Sequence, residues 1–132
     1  MISLLFAVSI AADASLEFPY RGKFNQNTLD TAAVYAECVL NKTDRFELSA
    51  EPVSIIVEAA FEACKNDRKV LDITIAEEVA NSAGDTIIDM MAGKKAPEPV
   101  PSSEEIMRQF DAHLTSKARL RLIEIRSEKA PR

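Results

Sequence analysis

Residues 49–64 read Ser-Ala-Glu-Pro-Val-Ser-Ile-Ile-Val-Glu-Ala-Ala-Phe-Glu-Ala-Cys, and this stretch decides the fold class. Val53, Ile56, Val57, Ala60, Phe61 and Cys64 recur at intervals of three and four, which is the stripe of an amphipathic helix. Glu58 and Glu62 fall on the opposite side. Pro52 lies in the first turn, where a missing N–H costs little. Ser49 is the expected cap, with Leu48 and Val53 as a hydrophobic staple across it.

The same period continues on both sides. Upstream, a helix is expected from about Thr28 to Lys42, capped by Asn27 with Asp30 in its first turn. Leu29, Ala32, Ala33, Ala36, Val39 and Leu40 form its apolar face, with Tyr35 and Cys38 beside it. Downstream, a third helix is expected from about Thr74 to Ala92, opened by a Thr74/Glu77 capping box. Its expected core stripe is Ala76, Val79, Ala80, Ala83, Ile87, Met90 and Met91, and Gly93 can close it in a left-handed conformation. Gly84 inside it either weakens the helix or marks close packing. The β-branched run Val70–Ile75 could form a short strand, but no second strand is visible to pair with it.

Residues 96–101, Ala-Pro-Glu-Pro-Val-Pro, form the centre of a linker over 94–102, because alternating prolines favour an extended, semi-rigid chain. A longer amphipathic helix over 103–129 follows, opened by a Ser102/Glu105 capping box. Ile106, Phe110, Leu114, Ala118, Leu122 and Ile125 make one stripe, with Leu120 and Ile123 off it. Lys117 and Arg121 fall at seam positions of a heptad, so a long coiled coil is not indicated. The expected fold is all-α: a small three-helix bundle over 28–93 with one disulfide, a Pro-rich linker and a longer fourth helix.

The N-terminus reads as an address. Residues 2–12 are apolar and uncharged, too short to span a bilayer. Ala12-Asp13-Ala14 places small residues at both positions that a signal peptidase needs, so residues 1–14 are expected to be a signal peptide. The protein would then be periplasmic or secreted after cleavage near Ala14. Residues 15–27 are expected to form an extended aromatic arm, broken by Pro19 and Gly22, with Phe18, Tyr20 and Phe24 on one side.

Cys38 and Cys64 are the only cysteines. In an oxidising compartment an isolated pair is a disulfide by default. The pairing makes a geometric demand. If the first two helices formed a simple hairpin centred near residue 47, Cys38 would face position 56, and Cys64 would lie roughly 12 Å further along the axis. A bridge therefore implies helices that cross or lie closer to parallel.

The chain has 132 residues and a net charge of −5, with 47% hydrophobic and 28% charged residues. That balance suits one globular domain and argues against nucleic-acid binding, which needs a basic surface. Charge is uneven: residues 15–93 hold 7 Lys/Arg against 14 Asp/Glu, and residues 94–132 hold 9 against 6. Three glycines leave no phosphate-cradling loop. The single histidine, His113, has no nucleophile in a motif with it, and two cysteines with one distant histidine make a poor zinc site. Glu58/Glu62 and Asp85/Asp89 are carboxylate pairs at helical spacing that would serve a hydrolase or calcium only with further oxygen ligands.

No catalytic group, metal or cofactor is therefore expected. The leading functional expectation is an exported, non-enzymatic protein that binds an unidentified protein partner. The tethered C-terminal helix would supply the contact through Phe110, Leu114, Lys117, Arg121 and Ile125, and self-association through the same helix is a further expectation. The alternative is an apolar small molecule or lipid held between the helices. A carboxylate-based hydrolase comes third.

Overall fold

The computed structural model describes Phe18, residues 21–95 and residues 101–129. The expected signal peptide, Tyr20 and the centre of the proline linker lie outside the described residues. Four α-helices occur among the described residues: α1 (Gln26–Phe46), α2 (Val53–Ala63), α3 (Lys65–Met91) and α4 (Ser103–Lys129), with 3-10 turns at Arg21–Lys23 and Glu47–Ser49. The fold is all-α, as the patterning predicts, and Val70–Ile75 lies inside α3 rather than in a strand.

Helix α1 is longer than expected at both ends. Its cap is Asn25, not Asn27: the Asn25 side chain accepts a hydrogen bond from the Thr28 N–H at 3.0 Å. The reason is tertiary. Glu78 of α3 accepts from the Asn25 N–H at 2.9 Å and from the buried Thr28 hydroxyl at 2.7 Å. A carboxylate thus sits at the positive end of the α1 dipole, where it is favoured. Residues 26–27 therefore belong to the helix and residues 21–23 to a 3-10 turn, so the expected extended arm is not extended over these residues. Phe18 is buried, edge-on to Phe110 at 5.0 Å and tilted against Phe24 at 5.5 Å.

At its other end α1 runs past Lys42 to Phe46. The buried Thr43 hydroxyl donates to the Val39 carbonyl at 2.8 Å, which satisfies it inside the helix. The chain then reverses through the 3-10 turn and Ala50, which is left-handed at φ 59°. Pro52 occupies the cap position of α2. Ser49 does not cap; its hydroxyl donates to the Phe46 carbonyl at 2.7 Å. Leu48 is 81% exposed, so the expected staple is not formed.

These boundaries correct the expected helix arrangement. With α1 ending at Phe46 and α2 starting at Val53, the hairpin is centred between residues 49 and 50, and Cys38 faces Phe61. Cys64 is three residues further on, roughly 4.5 Å along the axis. The Cys38–Cys64 disulfide, with Cα atoms 6.0 Å apart, therefore coexists with an antiparallel hairpin. Leu40, Ile56 and Val57 pack together near the turn, joined by Phe46 and Val53. The Tyr35 and Phe61 rings meet at 6.4 Å further from it.

Cys64 is also the joint between α2 and α3. Its N–H turns back to the Phe61 carbonyl at 3.1 Å, and the helical ladder resumes with Arg68 N–H to the Cys64 carbonyl at 3.0 Å. Helix α3 therefore starts at Lys65, not Thr74. The Thr74 hydroxyl donates to Val70 within the helix at 2.7 Å, so the expected capping box is absent there. Helices α2 and α3 together make one bent rod antiparallel to α1, which reaches Glu78 beside the start of α1.

Helix α4 is the third rod and runs parallel to α1. Tyr35 meets Asp111 near one end, and Asp44 meets Arg121 near the other. Ile106, Met107, Phe110 and Leu114 join Tyr35, Ala36, Leu71 and Ile75 in one core cluster. Ala118 and Leu122 join Leu40, Ile56 and Val57 in a second. Met107 is the one core residue of α4 outside the predicted stripe. The Ser102 hydroxyl caps α4, accepting from the Glu105 N–H at 3.3 Å. The Glu105 carboxylate turns to Arg108 and Gln109 instead of completing the box, and these bonds lower its pKa to about 2.

Helix α3 departs most from expectation. Its buried residues are Leu71 and Ile75, and the predicted core stripe faces outward: Ala76, Ala80, Ala83, Ile87, Met90 and Met91 are exposed and Val79 is half-buried. Gly93 closes the helix as predicted, at φ 80°. The Lys94 N–H reaches the Asp89 carbonyl at 2.9 Å and the Gly93 N–H the Met90 carbonyl at 3.1 Å, a Schellman closure.

Candidate functional site

Two faces of one helix account for the placement of α3. At 3.6 residues per turn, Leu71 and Ile75 share a face, and Ile73 between them points roughly to the opposite side. Leu71 and Ile75 pack against α1 and α4. On the outward side, Ile73, Ala76, Ala80, Ala83, Ile87 and Met90 follow one another at alternating steps of three and four residues. That is the seam pattern of a helix meant to pair with another helix.

All six are exposed, with Ile73 at 50%, Ile87 at 60% and Met90 at 57%. Val70 and Met91 border the seam and are also exposed, as is Ile88 further round the helix. The helix continues past Glu78, the residue that reaches the start of α1, for a further 13 residues to Met91. No residue from 80 to 91 is buried. Scattered exposed apolar side chains need no explanation, but a contiguous row of them marks an interaction surface. A Cβ added at Gly84 would meet nothing within 4 Å, so this glycine does not serve packing within the described bundle.

A second feature is polar. A groove of about 480 Å³ between α2, α3 and α4 is lined by Phe61, Glu62, Lys65, Arg68, Asp111 and Thr115, among others. At its floor the Tyr35 hydroxyl donates to Asp111 Oδ1 at 2.6 Å, and Arg68 Nε donates to Oδ2 at 2.9 Å. Burial, and then the bond to Asp111, push the Tyr35 hydroxyl pKa well above its ordinary value. The same carboxylate holds the Arg68 guanidinium more firmly in its charged form. A tyrosine that keeps its proton this tightly is a brace between helices, not a base or nucleophile near neutral pH.

The sequence-predicted site residues are not brought together as one surface. Phe110 and Leu114 are each 1% exposed and belong to the core. Arg121 makes a two-pronged contact with Asp44 of α1, at 2.5 and 2.6 Å. Lys117 and Ile125 are half-buried. On the outer side of α4, Leu120 and Ile123 remain exposed, and His113 lines a shallow groove with Lys117 and Glu124. Glu58 and Glu62 are exposed on α2, with Glu62 bonded to Lys65 at 3.0 Å. Asp89 lies 3.9 Å from Lys94. Among the described residues no group of three or more His, Cys, Asp or Glu side chains could hold a metal ion, and no helix is long and apolar enough to cross a membrane.

The outward seam of α3 was legible as a stripe but not as a surface, since an apolar row at helical spacing reads equally well as core. The chain matches no protein-family model, no curated protein and no solved structure.

Proposed function

We propose that the protein acts by binding another polypeptide, without catalysis of its own, and that the outward face of α3 is the surface it uses. The observation that carries this reading is the exposed row Ile73, Ala76, Ala80, Ala83, Ile87 and Met90 on a helix whose other face is already committed to the core. Helix-on-helix docking is the recognition mode that such a row suits. The contact therefore moves from the C-terminal helix, whose own stripe is buried in the bundle, to α3. A photoreactive residue at Ile87 in the full chain tests it. Illumination in the native compartment should join the protein to another polypeptide, whereas the same probe at Glu58 should not. Recovery of the Ile87 probe only as the unlinked chain would overturn the proposal.

Export from the cytosol belongs to the same reading. Residues 2–14 support it by their layout, and the disulfide supports it because such bonds persist in oxidising compartments. Protein recovered from its native cell should carry an N-terminus near Ser15 by mass spectrometry. An intact Met1 in a cytosolic fraction would count against it.

A further inference from the structure

Resting on the reading that α3 is a docking face, we propose that its occupant is a second copy of this chain, packed antiparallel across the seam. The seam is self-complementary in that direction. Centred between Ala80 and Ala83, an antiparallel pair sets Ala80 against Ala83 of the second copy, Ala76 against Ile87, and Ile73 against Met90. Small residues meet at the crossing, which lets the two backbones approach to about 8 Å. The large side chains lie towards the two ends, where the helices diverge and there is room for them.

The flanking residues choose the direction. In a parallel pair, Asp72 of one copy would lie beside Glu77 of the other, and the same repulsion would recur on the opposite flank. In the antiparallel pair, Val70 comes beside Met91 of the second copy, which are 55% and 84% exposed here. Glu77 comes beside Gly84, where no side chain competes for the space. Asp72 comes to the end of the second copy's helix, where Gly93 is followed by Lys94 and Lys95. Like charges separate and opposite charges approach, and the exposed glycine acquires a role.

Size sets the strength. The contact runs from Val70 to Met91, roughly 33 Å of helix. One helix from each copy makes an interface at or below the small end of the standard class, about 1,200 Å² in total. An interface of that size suits a reversible dimer rather than a permanent one.

Sedimentation equilibrium on the full chain with its disulfide intact tests the proposal. The expected result is a monomer–dimer equilibrium. Ala80→Glu, and independently Ile87→Asp, should weaken it at least tenfold while leaving the melting of the monomer unchanged, since both positions are exposed. A spin label on Ile88→Cys reads the direction: antiparallel packing separates the two labels by roughly 20 Å along the axis, and parallel packing by none. Dimerisation untouched by either seam variant, or short label distances, would overturn the proposal. So would a monomer at every concentration. In that last case an Ile87 crosslink to a different polypeptide would leave the wider reading of α3 standing, and the absence of any crosslink would remove both.

Discussion

The Tyr35 hydroxyl on α1 donates to the Asp111 carboxylate on α4 at 2.6 Å, and Arg68 of α3 grips the other oxygen of that carboxylate at 2.9 Å. Three rods that are far apart in sequence are thereby tied at one point beside the core. The tyrosine ring itself is fully buried, facing Phe61 and Phe110.

Tyr35→Phe should lower stability by about 1.5–3 kcal/mol at neutral pH, the usual worth of a hydrogen bond to a charged group. Its pH signature is specific. The hydroxyl pKa is raised in the folded state above the ordinary 10.0, so the stabilisation is complete below that value and is lost progressively as pH rises from it towards the higher folded-state pKa. Urea midpoints measured from pH 7 to 11 should converge for wild type and variant above pH 10. A constant gap across that range would refute the assignment.

Reduction of Cys38–Cys64 should destabilise the chain by about 3.5 kcal/mol, from the loop entropy of a 26-residue separation. Cys38→Ser with Cys64→Ser should behave like the reduced protein. Because the bridge sits at the α2–α3 joint, hydrogen exchange should rise first around residues 61–68. Uniform loosening along the chain would contradict that location.

Ala50 adopts a left-handed backbone at φ 59°, which costs a residue with a Cβ roughly 1–2 kcal/mol. Ala50→Gly should stabilise the protein by about 0.5–1 kcal/mol, the relief being partly offset by the greater freedom of glycine in the unfolded chain. A drop in the melting temperature would show that the turn is not held as described.

Docking of α4 rests on apolar burial first and charge second. Phe110→Ala should cost about 3–5 kcal/mol. Arg121→Ala, at a part-exposed pair with Asp44, should cost about 1 kcal/mol or less, and that loss should shrink at high salt. A chain ending at Lys95 should lose cooperative unfolding, because it removes six fully buried side chains from Ile106 to Leu122. Cooperative melting of that chain would mean that α1–α3 fold without α4.

Much of the fold was legible in the sequence by itself. The stripe of α2 was read residue by residue, because Val53 to Cys64 has one apolar face and a charged reverse, and local periodicity leaves no other solution. The stripe of α4 and its Ser102 cap were legible for the same reason, as was the Gly93 stop, which depends only on backbone conformation. Helix ends were less legible. The start of α1 at Asn25 depends on Glu78, 53 residues away, and the start of α3 depends on α2 running almost directly into it. Moving the centre of the hairpin from residue 47 to between 49 and 50, which moves the position facing Cys38 from 56 to 61, then decided whether the disulfide and an antiparallel pair were compatible.

The identity of the core face of α3 was decided by tertiary structure alone. The sequence determined that α3 carries two apolar sets, Leu71 with Ile75 and the row from Ile73 to Met90, and both suit a helix equally well. Burial goes to whichever face the neighbouring rods can reach. Helix α1 begins opposite Glu78, so it can cover Leu71 and Ile75 but offers nothing beside the last three turns. A periodic pattern fixes which residues share a side of a helix; only the lengths and directions of the packed neighbours determine which side loses contact with water.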